Sequence, residues 1–206
     1  MSFWFLLCVA GVLINTVFHF VSVEHIGLET RFGEERGSDL GKLLGGISGW
    51  MEFLLLFLLW ASPQPRFALG GPQLPLLGQS LFNLIIAIPL FSLSTWISIR
   101  AVFLMGREAG WDVVNLHSPT DRVVTSGPYS LVRHPQYLGA ILAHLGGSIL
   151  VSASYALLFA PLYVLITYAI SWKEERELCR ELGQAYLDYR ERVPMLIPLG
   201  RRGNGV

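Results

Sequence analysis

Two short charged clusters in an otherwise apolar chain carry residue types that can do chemistry: Arg133-His134 and Glu174-Glu175. Pro135 follows the cationic pair directly, and proline suits the first turn of a helix, where its missing N–H costs nothing. Arg133 and His134 then sit at the positive end of that helix. Backbone N–H groups, the helix dipole and a guanidinium together suit a carboxylate or phosphate. The plainer alternative is two interfacial side chains reaching for lipid headgroups. Glu174 and Glu175 are costly at a membrane edge unless wet or paired. They can pair with Arg133, or face a cation such as a sulfonium or a set of ribose hydroxyls; the plainer alternative is a solvated stretch of helix. Tyr129, Tyr137 and Trp172 add aromatic faces suited to a cation, although aromatics also gather at membrane interfaces without any role.

The elements that position these residues follow from composition. Hydrophobic residues make up 52% of the 206 and charged residues only 15%, against about 25% charged in ordinary soluble chains. With a mean hydropathy of +0.51, the main solvent is lipid. Net charge is zero, so no global field recruits nucleic acid. Cys8 and Cys179 form no regularly spaced set, so neither a disulfide framework nor a zinc site is expected; no metal is expected at the site either.

The expectation is an all-α membrane protein of about five transmembrane helices. Ser2 to Val23 is an apolar run long enough to cross a core of about 30 Å. No Lys or Arg precedes Phe3, so it reads as a retained helix rather than a signal peptide. Residues 24–42 read as a charged loop with at most a short surface helix. Leu43 to Ala61 is the second span, with Gly45, Gly46 and Gly49 allowing close contact. The proline-rich 62–75 stretch is a stiff connection, and Leu76 to Ile99 is the third span, kinked at Pro89. Residues 112–117 and 122–125 flank a candidate hairpin turn.

Pro135 to Trp172 is a run of 38 residues without Lys, Arg, Asp or Glu. At about 1.5 Å per residue it makes roughly 57 Å of helix, enough for two short spans. A tight turn at Ser152-Ala153-Ser154 divides them, and the resulting hairpin returns Glu174 to the side of Arg133. Beyond Lys173, Leu178, Leu182, Tyr186, Tyr189 and Val193 form an amphipathic stripe that Pro194 ends. With the N-terminus outside, fourteen of the fifteen basic residues fall inside and only Arg66 outside. The positive-inside rule thus places the two clusters on the cytoplasmic face. Within the spans Glu52, Asn83 and His144 are polar and hence functional candidates; for His144 a helix-bridging hydrogen bond is the competing role.

The order GPYSLVRHPQYLG, an uncharged hairpin, then EERELCRELGQAYLDYRERVPMLIP resembles the isoprenylcysteine carboxyl methyltransferase and phospholipid methyltransferase family of integral membrane enzymes. The likeness covers about Leu104 to Pro198, while residues 1–75 show no matching motif. It implies S-adenosyl-L-methionine as cofactor, held by Val124, Gly127, Pro128, Tyr129, Arg133, His134, Pro135, Tyr137, Leu138, Glu174 and Glu175. Arg133 and Glu174 are the expected catalytic residues, with Arg133 orienting either an acceptor carboxylate or the methionine carboxylate. It also implies two parts: residues 1–103 as three helices shaping the acceptor pocket, and 104–206 as a methyltransferase core with hairpin 135–172 and C-terminal helix 173–193. The acceptor is lipophilic or small: a prenylcysteine carboxylate, a phospholipid amine or a thiol. Two other readings compete, a membrane sterol-type reductase using NADPH and a non-enzymatic scaffold or transporter.

Overall fold

The computed structural model describes residues 2–74, 79–109 and 123–198. Among them are six α-helices: α1 Phe3–Ser22, α2 His25–Phe32, α3 Glu34–Ala61, α4 Leu81–Ala109, α5 Pro135–Leu150 and α6 Ser154–Arg192. A two-residue antiparallel pairing, β1 Gln73–Leu74 with β2 Gln79–Ser80, is the sole named strand pair among the described residues. Helices α1, α3, α4 and α6 are each long and apolar enough to cross a membrane. With the shorter α5, 16 residues or about 24 Å, they form an all-α membrane protein.

The helices run longer than the apolar runs alone suggest. α3 starts at Glu34 rather than near Leu43, because Glu34 and Glu35 in its first turn suit the positive end of the helix dipole. Its first turns therefore extend past the apolar segment, and α2 and the start of α3 together fill most of what reads as a loop. α4 likewise continues past Ile99 to Ala109, with Pro89 inside it.

Apolar side chains gain nothing by leaving lipid for one another, so helix contacts here depend on close packing and polar bridges. α4 buries Asn83, Ala87, Ser94, Ile97, Ala101 and Leu104, a stripe at heptad spacing, and lays it along α5. A Cβ at Gly139 of α5 would lie 2.2 Å from Ser98 Oγ of α4. A side chain there would have to displace the Ser98 hydroxyl, whereas glycine leaves room for it, and Ser94 Oγ donates to the Gly139 carbonyl at 2.7 Å.

The expected turn between α5 and α6 is present. α5 ends at Leu150, Ser152 takes a φ of 57°, and α6 begins at Ser154. Asn83 holds the turn by donating to the Ile149 carbonyl and Ser152 Oγ at 3.2 and 2.9 Å. The 62–72 connection closes over it: Phe67 N donates to Ser152 O, and Ser154 N to Pro65 O, both at 3.1 Å. His144 bridges α5 and α6 through Nε2 and the Ala156 carbonyl at 3.0 Å, and Glu52 accepts from the Tyr163 hydroxyl. At the other end of the bundle, Lys173 Nζ reaches the Phe20 carbonyl at 2.6 Å and Glu24 Oε2 at 3.0 Å. The end of α1, the start of α5 and the exit of α6 therefore share one side. The hairpin expected over 112–125 falls almost wholly outside the described residues.

Candidate functional site

The site begins with a turn. Ser126 is extended, Gly127 carries a φ of 55°, and Gly127–Ser130 forms one 3-10 turn. A Cβ on Gly127 would fall 2.5 Å from Leu104 Cδ1, so the turn lies directly on α4. Val124 and Tyr129 are buried there with Ala101 and Leu104. Pro128 is buried as well. The chain then reaches Arg133 and His134 just before Pro135 opens α5.

The opposing wall is the charged half of α6 and the residues after it. Gly183, with a φ of 56° and ψ of −133°, breaks the helical path inside α6; a β-substituted residue resists that geometry and glycine does not. Beyond it Tyr186 and Tyr189 are buried, and Tyr189 Oη donates to the Tyr129 carbonyl at 2.6 Å. After α6 the chain runs back along the Arg133 segment. Arg133 N donates to Pro194 O at 2.9 Å, and His134 N to Met195 O at 3.1 Å.

Side chains complete this closure. Arg133 Nε lies 2.5 Å from Glu175 Oε1, and Nη1 donates to the Arg190 carbonyl at 2.9 Å and to the Val193 carbonyl. His134 Nδ1 stands 3.6 Å from Glu174 Oε2 and its Nε2 3.4 Å from Glu175 Oε1. Arg190 Nε approaches Glu175 Oε2 at 3.5 Å. Glu175 is thus the hub. Burial by itself pushes its carboxyl up, but hydrogen bonds from His134 and Arg133, and their charge, outweigh burial and hold it below the ordinary carboxylate range.

Carboxylates dominate the interior of this region. Glu174, Glu175 and Glu177 are all buried, while Arg180 and Arg190, which answer Glu177 and Glu175, are about half exposed. Burial, then the charge of Glu175 and Glu174, push the Tyr186 phenol well up, so it stays a hydroxyl. Tyr186 Oη and Glu177 Oε2 are buried with no hydrogen-bond partner among the described residues. Buried polar atoms of that kind call for a polar ligand or water. Acceptors and negative charge suit a group bearing an ammonium, a sulfonium and sugar hydroxyls.

The structure therefore brings together Gly127, Pro128, Tyr129, Arg133, His134, Pro135, Glu174 and Glu175. Tyr137 joins them through its ring, 5.7 Å from that of His134. Leu138 is half-buried on the first turn of α5, its N–H on the His134 carbonyl, and Val124 packs on α4. Trp172 stands apart: it is 50% exposed, with Arg176 stacked on its ring at 5.1 Å. Asn83 and His144 belong to the far end. The sequence does not single out Arg190, Glu177 or the 193–195 carbonyls. Tyr186 and Tyr189 lay on the amphipathic stripe, but backbone acceptors leave no residue signature.

Comparison with known proteins gives this geometry a family. The Phospholipid methyltransferase family model matches residues 82–185. Protein-S-isoprenylcysteine O-methyltransferase of Homo sapiens is 27% identical over 160 residues, 75% of this chain and 50% of that protein. Methanethiol S-methyltransferase 2 of Bradyrhizobium diazoefficiens is 42% identical over 73 residues, 34% of this chain and 26% of that protein. Methanethiol S-methyltransferase 1 of the same organism is 28% identical over 163 residues, 73% of this chain and 52% of that protein. The chain spans about half the length, or less, of these curated relatives. Matches covering three-quarters of the chain extend into residues 1–75, so the likeness reaches further forward than the motifs do. No solved structure matches. With its family match running from α4 through α5 and most of α6, the chain belongs to the phospholipid methyltransferase family.

Proposed function

We propose that this chain is a methyltransferase of the membrane, using S-adenosyl-L-methionine to methylate a lipophilic or small acceptor. The observation that carries the reading is the buried carboxylate cluster at the clamp, with Tyr186 Oη and Glu177 Oε2 unanswered inside it. When bound, the cofactor supplies an activated methyl on a sulfonium. The chain's part is to hold and orient that group, exclude water and admit the acceptor from lipid, so positioning and desolvation dominate.

Glu174 supplies negative charge toward the donor's cationic groups, and His134 and Tyr137 line the same wall. Gly127, Pro128, Tyr129, Val124, Pro135 and Leu138 shape the turn and helix start against which the cofactor lies. Arg133 already serves Glu175 and two carbonyls, so its part is to keep the clamp closed; the arrangement favours this over a direct hold on an acceptor carboxylate. The charge asymmetry of the loops supports a cytoplasmic site and an N-terminus outside. Helices before residue 104 provide the acceptor side and 104–206 the transfer core, with α4 crossing between the two.

Calorimetry with S-adenosylhomocysteine tests the reading. Binding to the wild type and its loss in Glu174→Ala and His134→Ala are expected. Normal binding in both variants removes the site assignment. Thermal stabilisation by NADPH and none by S-adenosylhomocysteine replaces the whole reading with a reductase.

A further inference from the structure

One buried polar chain near the clamp has no part in closing it. His19 of α1 meets the Tyr137 hydroxyl through Nε2 at 2.9 Å, and Ser48 Oγ of α3 through Nδ1 at 2.8 Å. The same Tyr137 hydroxyl is hydrogen-bonded to Glu174 of the clamp. An ionised carboxylate offers acceptors only, so Tyr137 spends its single proton there. Toward His19 the phenolic oxygen then accepts, and Nε2 must carry a proton and donate it. Ser48 Oγ holds the other ring nitrogen, and Asn15 Nδ2 of α1 donates to the Ser48 carbonyl at 3.0 Å. The result is a line of groups running from α3 and α1 through α5 to a carboxylate of α6.

Holding helices together does not by itself account for this line. α1 lies along α3, and at this end Lys173 of α6 already ties α1 down through the Phe20 carbonyl and Glu24. What the His19 bond adds falls on Tyr137. The Tyr137 ring meets those of His19 and His134, with centroids at 6.0 and 5.7 Å, so packing sets the ring while its phenolic proton can still turn. A donor on one side of the oxygen leaves that proton to the other side and polarises the O–H that donates onward. The clamp's Arg133 guanidinium is bound to Glu175, and a buried carboxylate such as Glu174 needs donors to hold its charge at a membrane edge.

We propose that His19 is a positioning residue of the cofactor site: acting through Tyr137, it aims Glu174 at the cationic groups of the methyl donor. The inference rests on the methyltransferase reading. His19 and Ser48 stand before residue 82, where the family match begins. The first helices thereby take a share in holding the cofactor as well as forming the acceptor side. No proton changes hands in this role. His19 keeps its Nε2 proton, Tyr137 keeps its phenolic one, and Glu174 stays a carboxylate. Cofactor binding also becomes sensitive to how α1 and α3 seat on the α5–α6 hairpin, because a shift there withdraws the donor from Tyr137.

A double-mutant cycle read by calorimetry with S-adenosylhomocysteine, on the full chain in detergent, tests the proposal. Tyr137→Phe removes a hydrogen bond to a charged group and is expected to weaken binding by about 10- to 100-fold. His19→Ala removes a bond between neutral groups and is expected to weaken it by about three- to tenfold. The double variant is expected to bind no more weakly than Tyr137→Phe alone, because without the phenolic oxygen His19 has nothing to act through. His19→Gln, which keeps an N–H donor, is expected to recover most of the His19→Ala loss. A residue that merely ties helices lowers the melting temperature and leaves the cycle additive. Losses that multiply in the double variant therefore overturn the proposal, as does unchanged affinity in His19→Ala or no recovery in His19→Gln. Should His19→Ala fail to fold, His19→Phe, which keeps a ring without the donor, takes its place in the cycle. Absence of S-adenosylhomocysteine binding by the wild type sinks the underlying methyltransferase reading instead, so the two failures are distinct.

Discussion

The α5–α6 hairpin is fastened at both ends by polar groups, and the two fastenings differ in kind. At the turn, mostly neutral side chains answer the backbone. Asn83 accepts from Leu69 N at 2.9 Å and donates to the Ile149 carbonyl, Gln64 Oε1 accepts from Ala156 N at 2.9 Å, and His144 meets the Ala156 carbonyl. Arg66 is the charged member, and it too donates to carbonyls, Val151 O at 2.9 Å and Trp60 O at 3.3 Å. At the exit, Arg133 and His134 answer Glu175, with Glu174 and Glu177 buried beside it. The first fastening fixes a bend in a low-dielectric setting, where neutral bonds avoid the cost of burying ions. The second accepts that cost and offsets it by pairing Glu175 with Arg133 and His134.

Three substitutions and one titration probe the contrast. Glu175→Ala leaves the buried Arg133 with carbonyls alone and His134 with Glu174 alone, and breaking such a buried pair costs about 3–5 kcal/mol. The expected result is a large fall in thermal stability together with loss of S-adenosylhomocysteine binding; retained binding breaks the contrast. The titration follows from the same residue. Glu175's carboxyl lies below its ordinary value of 4.5 in the fold, so its stabilisation is complete above that value. It is lost as pH falls through the lower folded value. Melting temperature measured from neutral to about pH 3 should drop more steeply for the wild type than for Glu175→Gln.

Asn83→Ala strips the turn of its side-chain bonds and leaves buried groups unanswered, at about 2–3 kcal/mol. Here the melting temperature should fall while calorimetric affinity for S-adenosylhomocysteine stays put. A matching loss of affinity would show that the two ends are coupled. Tyr189→Phe removes one bond to the Tyr129 carbonyl and costs about 1 kcal/mol, read as a small shift in melting and a modest weakening of cofactor binding.

Much of this was legible in the sequence because it is local. The charge-free run from Pro135 to Trp172 announces two helices, Ser152 marks their turn, and the return of Glu174 to Arg133 follows from helix length alone. Pro135 marks the start of α5 and Pro194 the end of α6. What stayed hidden depends on distant partners. The extension of α3 to Glu34 reflects a helix dipole and a packed α2 overriding a charged composition. The break at Gly183 interrupts a stripe that otherwise reads as one helix. His19 looks like any polar residue in a span until Tyr137, 118 positions away, is placed against it. Arg133 reads as a ligand-binding cation, yet the carbonyls of Arg190 and Val193 claim it, and carbonyls have no letter in a sequence.

The backbone pairing of Arg133 and His134 with Pro194 and Met195 also sets an order of events in synthesis. Arg133 leaves the ribosome about 60 residues ahead of its Val193 partner, a delay of roughly 3–12 s at ordinary elongation rates. During that interval α5 and the apolar part of α6 can insert while the Arg133 segment waits at the membrane edge. Closing the loop then carries an entropic cost that grows only slowly with its length, and the final strand of chain acts as a latch. A chain released before Met195 would be inserted with that latch still open.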